Sequence, residues 1–333
     1  MKKIKLIFTG GTIMSTVNND DININDNTKY ELIERSGHSI DEFTISNPIN
    51  KLSENFIYDD ILKIYEEIIK SQKENVDGII ILHGTDTLAY TAPYIALLLQ
   101  KCDKKVVFVS SNYTLSDNRA NGIDNFNTAI KIIRDDHFPN AVYVAYKNYN
   151  ENFVGIHLAT RLLETPAYSD CYNSPDGYRY AKYINNEFQF ENTKYSTSNE
   201  KFSIKGHFDK KCLYITPYTG LNYQMLENVE FDFVVHGLYH SGTANNNLTD
   251  KKYNVVSFID YCNKKNKPIF FCNLQKREAY YSSTNSIFQK NATFLYDTLP
   301  NVANAKVNIA LNLIDENERD LYLKTNIAGE ILK

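Results

Sequence analysis

Thr9-Gly10-Gly11-Thr12-Ile13-Met14 follows directly on Ile4-Lys5-Leu6-Ile7-Phe8, an apolar run of strand length that is rich in β-forming residues. The two glycines allow a sharp turn that a Cβ would obstruct, and they let other atoms approach the backbone closely. A strand that runs into a Gly-Gly turn presenting threonine hydroxyls is typical of the carboxyl edge of an α/β sheet. The alternative is a tight turn whose threonines only cap a following helix, and this stretch alone does not separate the two interpretations.

A second threonine-bearing turn favours the first interpretation. Val76–Leu82 is a continuous apolar run, as expected for a strand buried on both faces of a parallel sheet, and it leads into His83-Gly84-Thr85-Asp86-Thr87. The nearly all-apolar stretch Leu88–Leu99 then predicts a buried helix. Strand and helix patterns continue to alternate, which predicts an α/β fold with a doubly wound, mostly parallel sheet. The further predicted elements of this part are helices at 55–70 and 126–133 and strands at 106–109 and 141–145.

Two polar stretches interrupt this alternation. Residues 15–27 are dense in Asn and Asp and predict a surface loop, and 184–211 are polar with little periodicity. We interpret the second stretch as a connection between domains, which gives a first domain at 1–184, a linker at 185–211 and a second domain at 212–333. The second domain repeats the alternation, with strands predicted at 213–216, 231–235 and 269–272 and helices at 255–262 and 303–313.

The composition excludes several classes of function. The chain has 333 residues, 43% of them hydrophobic, and a formal net charge of −4 without a basic block, so nucleic-acid binding is not expected. No apolar run approaches the roughly 18 residues that a membrane span needs, and the N-terminal apolar run is too short for a secretion signal. The sequence therefore predicts a cytoplasmic protein that does not bind membranes. The cysteines are odd in number and scattered, which supports neither disulfides nor a zinc site: Cys102, Cys171, Cys212, Cys262 and Cys272.

The two threonine turns indicate hydroxyl chemistry. In a parallel sheet both turns lie at the carboxyl ends of their strands, where open α/β sheets bind ligands. A free threonine hydroxyl is a poor nucleophile and needs a base or a polarising partner. Asp86 stands next to Thr85 and supplies a carboxylate. The combination predicts a hydroxyl nucleophile, a second hydroxyl and a carboxylate that manages protons.

The motifs Thr-Gly-Gly-Thr-Ile near the N-terminus and His-Gly-Thr-Asp-Thr after the apolar strand resemble the two signatures of bacterial L-asparaginases. The resemblance covers essentially the whole chain, and the two motifs together, in this order, are highly specific. It implies a larger N-terminal α/β domain joined to a smaller C-terminal α/β domain. It also implies a cofactor-free and metal-free amidohydrolase that assembles as a homodimer or homotetramer. The missing secretion signal makes the chain similar to the cytoplasmic type.

The resemblance implies roles for residues of both turns. Thr12 resembles the primary nucleophile, which would attack the side-chain amide and leave a β-aspartyl ester. Thr85 resembles the second catalytic threonine, and Asp86 the neighbouring carboxylate that also contacts the α-amino group of the substrate. Gly11 and Gly84, in the same turns, belong to the implied substrate-binding set.

Other positions of the family pattern match less closely. Leu52-Ser53-Glu54-Asn55-Phe56 resembles a substrate-binding segment, so Ser53 would bind the α-carboxylate and Glu54 would face the α-amino group. Leu52 departs from the usual aspartate, whereas a carboxylate at Glu54 is a sensible partner for an ammonium. Tyr30 is the candidate for the tyrosine of the mobile flap.

The largest departure concerns a basic residue. The family has a lysine that hydrogen-bonds the aspartate of the second signature, and here Arg161 stands in its place, unless the register shifts by one and Thr160 does. Arginine can hold a carboxylate by a bidentate ion pair but cannot release its proton. We therefore expect Arg161 to pair with Asp86. If the lysine of the family shuttles protons, arginine cannot take over that function. If the lysine only orients the aspartate, Arg161 could replace it.

A third turn stands in the second domain, at His236-Gly237-Leu238-Tyr239-His240-Ser241-Gly242-Thr243. It resembles the turn that reaches the active site of a neighbouring subunit, so Ser241 or Thr243 would contact substrate bound there. The alternative is a turn that only caps a helix. We expect structural rather than catalytic roles for His240 and His83, because the chemistry of the family requires no histidine base.

The resulting prediction is an L-asparaginase with L-asparagine as its substrate. One alternative is a glutaminase or another amidase of the same family. The other is a catalytically impaired homologue that binds amino acids, as a sensor or as a subunit. Subunits of tRNA-dependent amidotransferases are asparaginase-like, but we expect no such role without an N-terminal extension or a basic surface signal.

Overall fold

The computed structural model describes residues 3–18, 21–24 and 28–332. The chain forms two compact units. The first runs through Lys201 and includes Ile327–Gly329, and the second comprises Phe202–Asn326 and the residues from Glu330 onward.

The first unit is built on a sheet of eight strands. Its strands are apolar where they cross the centre of the sheet, and its helices alternate with them along the chain. The strands of this unit are β1 (Lys3–Phe8), β2 (Ser15–Asn18), β3 (Asp21–Ile24), β4 (Phe43–Ser46), β5 (Val76–Leu82), β6 (Lys105–Val109), β7 (Val142–Tyr146), β8 (Val154–Leu158), β9 (Ala181–Ile184) and β10 (Glu187–Phe190). Its helices are α1 (Thr28–Arg35), α2 (Tyr58–Gln72), α3 (Leu88–Leu99) and α4 (Gly122–Arg134).

The order of strands across this sheet is β10-β9-β8-β7-β6-β5-β1-β4. The five strands from β7 to β4 are parallel, and β8, β9 and β10 are added antiparallel. From β1 the chain goes on to β4 on one side, and from β5 it goes on to β6 on the other side. The strand order therefore reverses between β1 and β5, and the carboxyl ends of these two strands form the crevice in which open α/β sheets bind ligands.

Hydrophobic burial holds this crevice in place. Ile79, Ile80 and Ile81 in β5 are fully buried, as the continuous apolar run predicts. In α3 eleven of the twelve residues are buried, so the helix that leaves the second threonine turn is anchored on all sides. The bounds of α3, Leu88–Leu99, agree with the sequence-based prediction.

Two expectations from polar sequence need correction. Within 15–27, expected to be a loop, β2 and β3 pair as an antiparallel hairpin; residues 19–20 and 25–27 lie outside the described part. Within the predicted linker, β10 pairs with β9 at the edge of the large sheet. The alternation of polar and apolar residues in β3 (Asp-Ile-Asn-Ile) and β10 (Glu-Phe-Gln-Phe) covers only four positions each and does not stand out within polar stretches. Backbone hydrogen bonding to a neighbouring strand orders both, and in β10 Phe188 also packs against the core. The domain limits 1–184, 185–211 and 212–333 stay a prediction.

The second unit carries a smaller parallel sheet in the order β11-β12-β13-β14. Its predicted strands and helices are found, and it adds one strand and three short helices that the periodicity did not indicate. The elements are β11 (Cys212–Ile215), α5 (Tyr223–Leu226), β12 (Phe233–Gly237), α6 (Val255–Lys264), β13 (Ile269–Leu274), α7 (Ser282–Phe288), β14 (Thr293–Tyr296), α8 (Pro300–Leu313) and α9 (Arg319–Lys324).

The predicted fold class is confirmed: a larger, mostly parallel α/β sheet structure and a smaller α/β one. In the part of the chain that the structure describes, no helix has the length and apolar character that crossing a bilayer requires.

Candidate active site

The turn after β1 presents Thr12 at the start of a short 3-10 helix, Thr12–Met14. Gly11 has φ +83°, in the left-handed region that favours glycine. Its carbonyl accepts two hydrogen bonds, from Met14 N (2.9 Å) and from the hydroxyl of Ser15 (2.9 Å). Ile13 and Met14 are fully buried, whereas Thr12 keeps part of its surface exposed. Hydrogen bonds and buried side chains therefore hold the turn in place, and the Thr12 side chain stays partly exposed.

The turn after β5 is ordered by a neutral histidine. His83 is fully buried, and burial lowers its pKa to about 4. Its Nδ1 lies 2.7 Å from the Gly84 carbonyl, which can only accept, so Nδ1 carries the proton. The backbone of His83 donates to Val109 O (2.9 Å) and accepts from the Ser110 hydroxyl (2.7 Å). These contacts support the structural role that we expected for His83.

The two turns touch through their glycines. A Cβ on Gly11 would stand 2.4 Å from the Cα of Gly84, and a Cβ on Gly84 would stand 2.5 Å from the Ser53 hydroxyl oxygen. A third element, the 3-10 turn Ser53–Asn55, thus closes the same crevice. The Thr87 hydroxyl donates to Ser53 O at 3.0 Å and ties this turn to the β5 turn. The structure therefore brings together the predicted residues of all three turns: Gly11, Thr12, Ser53, Glu54, Gly84, Thr85 and Asp86.

The hydroxyl of Ser53 is free to bind a ligand. Ser53 is 1% exposed, and its Oγ has no hydrogen-bond partner among the described residues. A buried hydroxyl without a partner is costly, so an acceptor brought by a ligand would be stabilised there. Glu54 and Asp86 are exposed and place two carboxylates at the same crevice.

A cavity of about 260 Å³ adjoins the second threonine turn. Its lining contains three carboxylates and, among the described residues, no Lys, Arg or His. Burial and the negative charge of Asp86 raise the pKa of Asp170. The residues 3–18, 21–24 and 28–332 contain no group of His, Cys, Asp and Glu side chains that could hold a metal ion. The charged and hydroxyl-bearing side chains of the lining are Thr85, Asp86, Tyr90, Glu164, Thr165, Ser169, Asp170 and Tyr172.

Arg161 does not take the expected position. Its Nε donates to Gly329 O at 3.0 Å, and its guanidinium lies over the rings of Tyr178 and Tyr195, at 5.1 and 5.8 Å from their centroids. The side chain is 2% exposed, and none of these three contacts involves Asp86. The expected Arg161–Asp86 pair is therefore wrong. Hydrogen bonding to the returning chain at 328–329 and packing between tyrosine rings direct the guanidinium elsewhere.

The alternative register would place Thr160 where the family has its lysine. The Thr160 hydroxyl instead donates to Ala328 O at 2.8 Å.

Tyr30, expected in a flap, lies on α1, which packs against the Thr12–Met14 turn, and its side chain is 62% exposed. Ser241 belongs to the second unit, where its Oγ lies 3.0 Å from that of Thr243. His240 is exposed in the same turn. The roles of Tyr30 and Ser241 remain predictions.

Sequence reasoning missed Tyr172, Asp170 and Glu164. They lie in 159–174, a stretch in which only the 3-10 turn Ala159–Arg161 is regular. The one available signal was the carboxylate and hydroxyl content of this stretch, which polar loops commonly share. Their proximity to Thr85 follows from the tertiary fold alone.

Taken together, the crevice offers hydroxyls on two adjoining turns, a buried hydroxyl donor at Ser53, and carboxylates at Glu54 and Asp86. Such a set can attack a carbonyl carbon, hold an anionic group and hold an ammonium group. Acyl transfer on a small zwitterionic substrate requires these three functions.

Comparisons with known proteins agree with this chemistry. The sequence profile described as "Asparaginase, N-terminal" matches residues 3–195. Among curated relatives, a component of the glutamyl-tRNA(Gln) amidotransferase of Saccharolobus solfataricus is 25% identical over 347 aligned positions, covering 99% of this chain and 76% of that protein.

Solved structures share the fold. The thermostable L-asparaginase from Thermococcus kodakarensis superposes with a TM-score of 0.77 at 21% identity, with 99% of both chains covered. L-asparaginase I from Vibrio cholerae gives a TM-score of 0.77 at 20% identity, again over 99% of both chains.

The contact between the turns makes a test possible at Gly11. Gly11→Ala should be more destabilising than Gly37→Ala, because both glycines have positive φ (+83° and +79°) but only Gly11 faces an occupied space. The left-handed conformation costs about 1–2 kcal/mol in either variant, and the clash with Gly84 should add about 1–3 kcal/mol. Chemical denaturation measures both losses. Equal losses for the two variants would show that the turns do not touch as described.

Proposed function

We propose that this chain, which belongs to the asparaginase family of amidohydrolases, hydrolyses the side-chain amide of L-asparagine to L-aspartate and ammonia. One observation carries the proposal: the close approach of Gly11 and Gly84 sets the Thr12 and Thr85 turns side by side, next to the unpartnered hydroxyl of Ser53. The crevice also lies where strand order reverses, the usual ligand site of such sheets.

Substrate binding follows from the charges. Ser53 Oγ is a buried hydroxyl in need of a partner and would donate to the α-carboxylate of the substrate. Asp86 and Glu54 would face the α-ammonium group, for which exposed carboxylates are suitable partners. These contacts would fix the amino-acid end and leave the side-chain amide to reach the hydroxyl of Thr12.

The first chemical step would be attack on the amide. The Thr12 oxygen forms a bond to the amide carbon and gives up its proton, the C–N bond breaks, and the nitrogen leaves as ammonia with that proton. A β-aspartyl ester on Thr12 remains. Thr85 and Asp86 stand on the adjoining turn, and we assign them the proton transfers of this step.

The second step would be hydrolysis of the ester. Water adds to the ester carbon, the bond to the Thr12 oxygen breaks, and a proton of the water returns to Thr12 while aspartate leaves. Thr85 and Asp86, which we assign the proton transfers of the first step, would here order and deprotonate the attacking water. No redox change is involved, and one water is consumed per ammonia released.

A second candidate function rests on the 25% identity to an amidotransferase component. A protein of that kind would release ammonia for use by a partner protein. An assay of the chain alone separates the candidates. Ammonia from asparagine supports the proposal, and preferential release from glutamine supports the glutaminase alternative. Release from neither substrate supports an amidotransferase component or an amino-acid-binding protein.

Thr12→Ala should abolish ammonia release from asparagine, with kcat lower by at least about a thousandfold, because removal of a covalent nucleophile costs orders of magnitude. Thr9→Ala is the matched control. Thr9 lies in the same turn, fully buried, and its hydroxyl donates to Leu82 O at 2.9 Å. This variant should lose stability but keep its turnover. Thr12→Ala with more than about a tenth of the wild-type rate would refute the assignment.

We further propose a cytoplasmic homo-oligomer in which the turn bearing Ser241 completes the crevice of a neighbouring subunit. The proposal rests on the resemblance of the turn His236–Thr243 to the turn that, in the family, reaches the active site of a neighbouring subunit. Light scattering should give at least a dimer, and Ser241→Ala should raise KM for asparagine. A fully active monomer would remove Ser241 from the site.

A further inference from the structure

The second threonine turn has a polar neighbour that the sequence did not indicate. The cavity beside Thr85 and Asp86 is lined by carboxylates without a cation among the described residues, and Arg161 is held at Gly329. His83 and Thr87 hold the two ends of the turn, so the group that orients the peptide between Thr85 and Asp86 has to be sought elsewhere.

That group is the hydroxyl of Tyr172. It donates to the carbonyl of Thr85, which also accepts from Leu88 N at 3.3 Å. The Thr85 carbonyl belongs to the planar peptide unit that joins Thr85 to Asp86. Two donors on this oxygen fix the orientation of that plane and hence the direction in which both side chains leave the backbone.

Tyr172 is itself immobilised by the sheet. Its backbone N–H donates to Asn148 Oδ1 (2.8 Å), and its carbonyl accepts from Asn148 Nδ2 (3.0 Å). Its ring meets that of Tyr146, at the carboxyl end of β7, edge-on with centroids 4.8 Å apart. Tyr172 is 1% exposed and Tyr146 is fully buried. Tyr172 therefore links the end of β7, through Tyr146 and Asn148, to the turn of Thr85.

We propose that Tyr172 is the positioning residue of this site: its hydroxyl orients the Thr85–Asp86 peptide in the role that we had assigned to Arg161. The proposal rests on the proposed function for the catalytic roles of Thr85 and Asp86. A neutral donor suits this cavity because its proton is permanent. Burial raises the pKa of Tyr172 to about 12, and the negative charges of Asp86 and Asp170 act in the same direction, while the Thr165 side chain opposes them.

Tyr172→Phe removes the donor and keeps the ring. We expect kcat for asparagine to fall roughly tenfold to a hundredfold, as for other small misplacements of catalytic groups. KM should rise less than kcat falls, because Asp86 is one of two carboxylates assigned to the ammonium group, and Ser53 and Glu54 lie on a different turn. Hydrogen exchange of the peptide that contains 83–90 should accelerate roughly threefold to tenfold, the effect of losing one hydrogen bond.

Tyr143→Phe is the matched control. Tyr143 is a fully buried tyrosine near the opposite end of β7, and its hydroxyl also donates to a backbone carbonyl, Pro139 O at 2.9 Å. This variant should lose a similar amount of stability in thermal unfolding but leave both kcat and the exchange of 83–90 unchanged. A role of Tyr172 in stability alone would make the two variants alike.

The outcomes separate the two proposals. If Tyr172→Phe lowers kcat and loosens 83–90 while Tyr143→Phe does neither, the inference stands. If the two variants match in kcat and in exchange, Tyr172 holds nothing that catalysis needs and the inference is overturned. If the wild-type protein releases no ammonia, the proposed function fails, and the exchange of 83–90 alone decides whether Tyr172 holds the turn.

Discussion

The site depends on the contact between two glycine backbones. Gly11 and Gly84 lie in the turns that follow two neighbouring parallel strands, and neither tolerates a Cβ, because the other turn or Ser53 already occupies that space. Close approach of this kind is available only to glycine. It sets two threonines on adjoining turns at the point where the strand order reverses. The buried strands β1 and β5 and the buried helix α3 keep that contact in place.

Neutral donors hold the two threonine turns, whereas the carboxylates of Asp86 and Glu54 are exposed at the crevice. His83 is neutral and donates within its own turn, Ser15 fixes the Gly11 carbonyl, and Tyr172 reaches Thr85. Such bonds need no counter-ion and remain intact across the pH range in which enzymes work. The carboxylates of Asp86 and Glu54 are exposed and can meet a positively charged group of a ligand.

Much of this arrangement could be predicted because it depends on local patterns in the sequence. The apolar run of β5 and the bounds of α3 follow from hydrophobic periodicity, and the Gly-Gly and Gly-Thr turns mark the ends of strands. The paired strands β2 and β3 are four residues long each, too short for a periodicity to stand out in a polar stretch, and were missed. The direction of Arg161 depends on Gly329, which is 168 positions away, and no local signal reveals it. Tyr172 was missed for the same reason.

The central claim is that Thr12 forms a covalent bond to substrate at this crevice. Mixing the protein with asparagine, quenching in acid within the first turnovers and mapping peptides by mass spectrometry tests it directly. The account predicts an added aspartyl group on the peptide that contains Thr12, which disappears when the ester is left to hydrolyse before quenching. An aspartyl group on the peptide that contains Thr85, or rapid ammonia release with no modified peptide in the first turnover, would contradict it.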